Sequence, residues 1–241
     1  MEPPLTRGNQ PRSRWHSVRP GESLQSPDDR EELTTKVSGT TTVAPRKTTG
    51  KTLLEPRAKE FHRKYQAPRL EIPVNPGHDH IEGPANASLT LVEYGDYQCP
   101  YCGAAYPEVK KVQKELDSDL RFVFRNFPLT NIHEFAMNAA ETAEAASAQG
   151  KFWPIHDFLY EHQATLGDSS VAVGYAKKLG LNTQKFERDI AQHVYQKRVK
   201  DDFMGGVRSG VNGTPTFYVN GVRHDGDAIA KALVEALNRP K

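Results

Sequence analysis

From residue 88 the chain reads SLTLVEYG, with apolar and polar positions alternating and β-forming residues prevailing. This period of two predicts a strand, with Leu91 and Glu93 on one face and Val92 and Tyr94 on the other. Alternation alone does not say which face is buried. Pro100 suits the first turn of a helix, and Val109, Val112 and Leu116 then recur at helical spacing to about Asp117. LRFVFRNFPL, residues 120–129, predicts a second strand closed by Pro128.

A helical block follows between about 133 and 206. Phe135, Ala139, Ala143 and Ala146 form one apolar stripe, ended by Gly150. Phe152, Ile155, Phe158 and Leu159 form another. Asp168 is placed to cap a third helix that stops at Gly180, and Asn182 to cap a long last one through Phe186, Ile190 and Val194. The chain then returns to strands. TPTFYVNGVRHDG predicts a hairpin turning at Asn220-Gly221, and DAIAKALVEALN a closing amphipathic helix. There are no internal repeats. The order is β-α-β, an all-helical insert, then β-β-α.

The first 70 or so residues lack any such period. TTKVSGTTTVAPRKTTGKT has few large apolar residues and cannot bury enough surface to offset ordering entropy, so a disordered tail is expected. A short helix over EPRAKEFHRKY would be marginal on its own. The expected organisation is a tail over 1–71, a first α/β part over 72–130 opening with the loop IPVNPGHDHIEGPANA, a helical insertion over 131–210, and a second α/β part over 211–241. Residues 1–72 hold 14 Lys/Arg and nine Asp/Glu, and the remainder 18 and 21. A basic tail on a mildly acidic body does not read as a dedicated nucleic-acid binder. Mean hydropathy is −0.68, and no apolar run approaches the roughly 18 residues that span a bilayer. The basic N-terminus has no apolar stretch behind it, so no secretory leader is readable and a cytoplasmic location is expected, with a periplasmic or secreted one if the start site is misassigned.

Cys99 and Cys102 are the only cysteines in 241 residues, and they sit between the first strand and the first helix. A helix N-terminus favours negative charge, so the first thiol of such a pair is activated, with its neighbour one turn in acting as the resolving thiol. Cys99 is therefore expected as the exposed nucleophile and Cys102 as the more buried partner. A metal site would need further ligands; His78 and His80 are the candidates, in a Pro/Gly loop that nothing in the sequence places near Cys99. No metal or other cofactor is expected beyond the dithiol itself, and a purely structural disulfide does not suit a reducing compartment. Downstream, GVNGTPTFYVNG places Pro215 immediately before a strand, where a cis peptide would turn the chain toward the dithiol.

Together TLVEYGDYQCPYCG, FRNFPL, AAETAEAASAQGKFWPIHDFLY and GVNGTPTFYVNG give residues 78–238 a resemblance to the DsbA-like branch of the thioredoxin superfamily. The bacterial members that begin DH-x-x-GP and share EYGD-x-x-CPYC are the most similar, and such domains also occur fused to sodium/proton antiporters. The resemblance implies a thioredoxin fold carrying an inserted helical domain, and an activity of thiol–disulfide exchange. It implies that Glu93, six residues before Cys99, is a buried acid exchanging a proton with Cys102, with Asp96 as the nearest competitor. It also implies a substrate groove at Pro100, Tyr101, Thr214 and Pro215, with Phe127 on its rim. The partners implied are protein thiols or disulfides, with a redox partner protein or glutathione. His133 reads as a surface or capping residue. The Pro100-Tyr101 pair departs from strong oxidants of the family, which place a His between the cysteines, and leaves the net direction open. The rival readings are a glutathione-linked transferase or isomerase on the same fold, and a non-enzymatic metal-binding module.

Overall fold

A computed structural model of the chain describes residues 68–239; the expected tail up to residue 67, with the short helix over 55–65, lies outside the described residues. Its last four expected residues, 68–71, are not a free tail: Arg69 bridges Val222 antiparallel, and the Leu70 N–H donates to the Gly221 carbonyl. Five strands form one sheet in the order β1-β3-β2-β4-β5: β1 (His80–Glu82), β2 (Leu89–Gly95), β3 (Leu120–Asn126), β4 (Thr216–Val219) and β5 (Val222–His224). β2 and β3 are parallel, and the helix α1 (Pro100–Leu116) supplies the crossover that parallel neighbours require. All other pairs are antiparallel. Between β3 and β4 the chain makes five helices: α2 (Ala136–Ser147), α3 (Phe152–Glu161), α4 (Ser169–Lys178), α5 (Thr183–Ala191) and α6 (Gln196–Ser209). A last helix, α7 (Ala230–Leu237), follows β5.

The central strand β2 is buried on both faces, which is why its alternation could not assign them. Leu91 joins the larger core, with Cys102, Val109 and Val112 of α1, Phe122 and Phe124 of β3, and Leu233 and Leu237 of α7. Val92 and Tyr94 join a smaller core with Val123, Phe127, Val211 and Tyr218, covered by Phe203 of α6. Glu93 shares the face of Leu91 and is therefore turned into the larger core. Gly95 ends the strand where a side chain has no room: a Cβ there would stand 2.4 Å from the Phe124 ring and 2.7 Å from the Tyr160 hydroxyl.

The helix caps at Asp168 and Asn182 form as the sequence indicates, through the N–H groups of Ser170 and Lys185. Asn220 and Gly221 turn the hairpin at φ 50° and 82°. Two elements differ from expectation. The opening loop contains β1, which pairs antiparallel with β3 (His80 opposite Phe124, Glu82 opposite Phe122) and is too short to show a period. The expected long helix after Asn182 is two helices. They are separated at His193, whose φ is 53° and whose ring lies 2.8 Å from buried Glu141. Val194, taken as part of an apolar stripe, is half exposed at this break.

A buried ion pair fastens the segment ahead of β1. Arg125 Nε and Nη2 each donate to Asp79 at 2.8 Å, and the same guanidinium donates to the Ile72 and Pro73 carbonyls and the Tyr94 hydroxyl. Such a planar fork satisfies a carboxylate with two parallel bonds.

Candidate active site

The redox turn follows directly from β2. Cys99 is the N-cap of α1, with φ −67° and ψ 122°, and Pro100 opens the first helical turn, where its missing N–H costs nothing. Both thiols are free. Cys102 is fully buried, and Cys99 is only 3% exposed. The expected exposed nucleophile is thus largely covered, because Cys99 Sγ lies 3.3 Å from the Thr214 carbonyl oxygen. The Thr214-Pro215 peptide is cis. Thr214 and Pro215 are half-buried beside the dithiol, whereas Tyr101 projects into solvent, 75% exposed.

The two thiols differ in electrostatics. Cys99 is lowered to about 5, first by the hydrogen bond from the Cys102 thiol, which outweighs desolvation, with the Thr214 side chain and the backbone N–H groups of Cys102 and Tyr101 adding to it. Burial raises Cys102 well above the ordinary thiol value, and its bond to Cys99 and the nearby Glu93 add to the rise. Burial also raises Glu93 to about 8, with the Cys99 charge contributing. Glu93 Oε1 has no hydrogen-bond partner among the described residues.

Asp96 is the other buried carboxylate here, and it is occupied. It accepts from the N–H groups of Gln98 and Leu129, each at 2.8 Å, and lies 2.8 Å from His133 Nδ1. Its backbone meets the cysteines instead: the N–H lies 3.5 Å from Cys102 Sγ, and the carbonyl accepts the Cys99 N–H at 3.1 Å. His133 therefore holds the loop beside the site. Phe127 is not on the rim; it is buried in the smaller core, stacked on Phe203 at 4.3 Å between centroids. His78 and His80 face Asp202 and Glu144 in a polar network with Arg198 and Asn126. Among the described residues no group of three or more His, Cys, Asp or Glu is arranged to hold a metal ion.

Sequence reasoning did not anticipate Gln163, on the short turn after α3. Its side-chain amide donates to the carbonyls of Tyr97 and Cys99. A polar residue between two helices carries no local signal for such a contact.

A parallel β-α-β unit with C-x-x-C at the helix start, facing a cis-proline loop and interrupted by inserted helices, defines a DsbA-like protein with a thioredoxin fold. The family model described as Thioredoxin matches residues 75–239, and the chain belongs to that family. A sodium/proton antiporter of Salinispora arenicola, named NhaA 1, is 44% identical over 168 residues, which are 70% of this chain and 26% of that protein. The chain thus spans about a quarter of the length of the curated relatives it matches. Among solved structures, a thioredoxin-like oxidoreductase from Silicibacter pomeroyi is 28% identical with a TM-score of 0.56, covering 68% of this chain and 92% of that one. The α-DsbA1 protein of Wolbachia pipientis shares the fold at 18% identity, with a TM-score of 0.60 over 70% of this chain and 92% of that one. These relatives overturn the cytoplasmic expectation: the matching domains belong to membrane-linked antiporter proteins, and the structural neighbours are of the DsbA type. No helix of the described residues is itself long and apolar enough to cross a membrane.

Proposed function

We propose that the chain is a thiol–disulfide oxidoreductase exchanging its Cys99–Cys102 pair with protein thiols or disulfides. The observation that carries this reading is the asymmetry of the pair: Cys99 is held as a thiolate near neutral pH above a protonated, buried Cys102 with Glu93 behind it.

In the reducing direction, the Cys99 thiolate attacks one sulfur of a substrate disulfide. A new S–S bond forms, and the other substrate sulfur leaves with the electron pair and takes a proton. Cys102 then gives its proton to ionised Glu93 and attacks Cys99 Sγ. The mixed disulfide breaks, the second substrate thiolate leaves, and two electrons have passed to the substrate. Oxidation of a substrate dithiol is the same sequence reversed. A Glu93 pKa of about 8 leaves roughly a tenth of the carboxyl ionised at pH 7, close to the range in which one group both takes and returns a proton. The Thr214 backbone pairs with an extended substrate segment, as in strand addition, with Pro100, Tyr101 and Pro215 against its side chains. A redox partner protein or glutathione resets the pair.

The test is mixed-disulfide capture with a reducible protein substrate. Cys102→Ser should accumulate a covalent complex through Cys99, and Cys99→Ser should abolish exchange. Turnover by Cys99→Ser near the native rate would end this reading.

A further inference from the structure

Gln163 stands on the turn Gln163–Thr165, inside the helical insertion and far from Cys99 in sequence. Its Nε2 donates to the Tyr97 carbonyl at 2.7 Å and to the Cys99 carbonyl at 3.0 Å. The Cys99 carbonyl also accepts the first helical bond of α1, from Gly103 N–H at 3.0 Å. One amide therefore bridges the approach to the redox turn and the N-cap of α1. Gly103 makes room for it: a Cβ on Gly103 would stand 2.1 Å from Gln163 Oε1 and 2.7 Å from its Cδ. The bare glycine leaves the space through which Gln163 reaches the backbone of the redox turn.

We propose that Gln163 is a positioning residue of the exchange reaction, through which the helical insertion holds the backbone of the redox turn itself. This rests on the reading of Cys99 as the attacking thiol. The N–H groups of Tyr101 and Cys102 stay aimed at Cys99 Sγ only while the backbone from Tyr97 to Cys102 keeps its shape. The titratable groups facing Cys99 are Cys102 on its own helix and Glu93 on β2. Gln163 is uncharged, so deleting its donors removes no ionisable group from the site.

The experiment follows the Cys99 thiolate by its absorbance near 240 nm against pH, with the rate of attack on a small aromatic disulfide and the unfolding midpoint measured in parallel. Gln163→Met keeps the length and removes both donors. It should move the thiolate titration up by about one pH unit and slow attack about tenfold at pH below it, the rate recovering as pH rises. Gly103→Ala should shift it in the same direction by displacing the amide. The double variant Gly103→Ala with Gln163→Ala refills the space and should recover the unfolding midpoint, but not the titration. Should all three variants titrate like the native chain while only the midpoint moves, Gln163 is packing and the proposal falls. A native chain with no thiolate below the ordinary thiol range would instead overturn the assignment of Cys99 itself.

Discussion

Replacing Glu93 with glutamine should stabilise the folded protein at neutral pH while slowing the step that releases the mixed disulfide. Glu93 titrates near 8 in the fold against an ordinary value of 4.5, chiefly because its carboxylate is taken out of water in the larger core. A raised folded pKa means that the folded state prefers the proton. The group's favourable contribution is complete below pH 4.5 and is lost progressively as pH rises toward 8. At pH 7 the unfolded carboxyl has been ionised across 2.5 units while the folded one is still mostly neutral, and at about 1.36 kcal/mol per unit this costs about 3 kcal/mol. Above pH 8 the cost levels off near 5 kcal/mol. Glutamine matches the protonated acid in shape and does not ionise. Glu93→Gln should thus be near neutral at pH 4 and more stable than native by about 3 kcal/mol at pH 7.

The assay is urea unfolding of the disulfide form at pH 4, 7 and 9, which removes the Cys99 charge from the comparison. With a denaturant slope of about 2 kcal/mol per molar, the midpoint gain at pH 7 is at most about 1.5 M, because the Cys99 charge that adds to the Glu93 shift is absent from the disulfide form. Stability curves for native and variant that run parallel from pH 4 to 9 would refute the burial argument. The same variant should accumulate mixed disulfide during turnover, because the proton of Cys102 has lost its acceptor.

Two further outcomes follow from the sheet. Asp79→Ala leaves the Arg125 guanidinium buried without its carboxylate and should cost about 3–5 kcal/mol in urea unfolding, part of it recovered by adding Arg125→Met; a loss under about 1 kcal/mol would mean that water reaches the pair. Gly95→Ala drives a methyl into the Phe124 ring and the Tyr160 hydroxyl and should cost about 1–3 kcal/mol, read as a lower melting temperature, whereas an unchanged one would show that these rings yield freely.

Much of this molecule is local enough to read from residue order. The period of two in β2, the spacing of Val109 and Val112 in α1, the caps at Asp168 and Asn182 and the turn at Asn220-Gly221 depend on neighbours within a few residues, and all appear where the pattern puts them. The juxtaposition of Cys99 and Cys102 is equally local, since one helical turn sets it.

The remainder was decided between distant segments. β1 exists because β3 offers it an edge, and the break at His193 is made where Glu141 meets the ring from α2; neither partner is a sequence neighbour. The family resemblance put Phe127 on the groove's rim, yet it turns to Phe203, which only the path of α6 brings there. Asp96 and Glu93 stand three residues apart and are chemically alike. Loop donors from Gln98, Leu129 and His133 engage one, while burial in the larger core leaves the other with an oxygen that has no partner among the described residues. Sequence supplies the acids and the thiols and places them on elements. Which acid is kept from water, and which glutamine reaches the redox turn, depend on how the elements pack, because desolvation and hydrogen bonding act across space rather than along the chain.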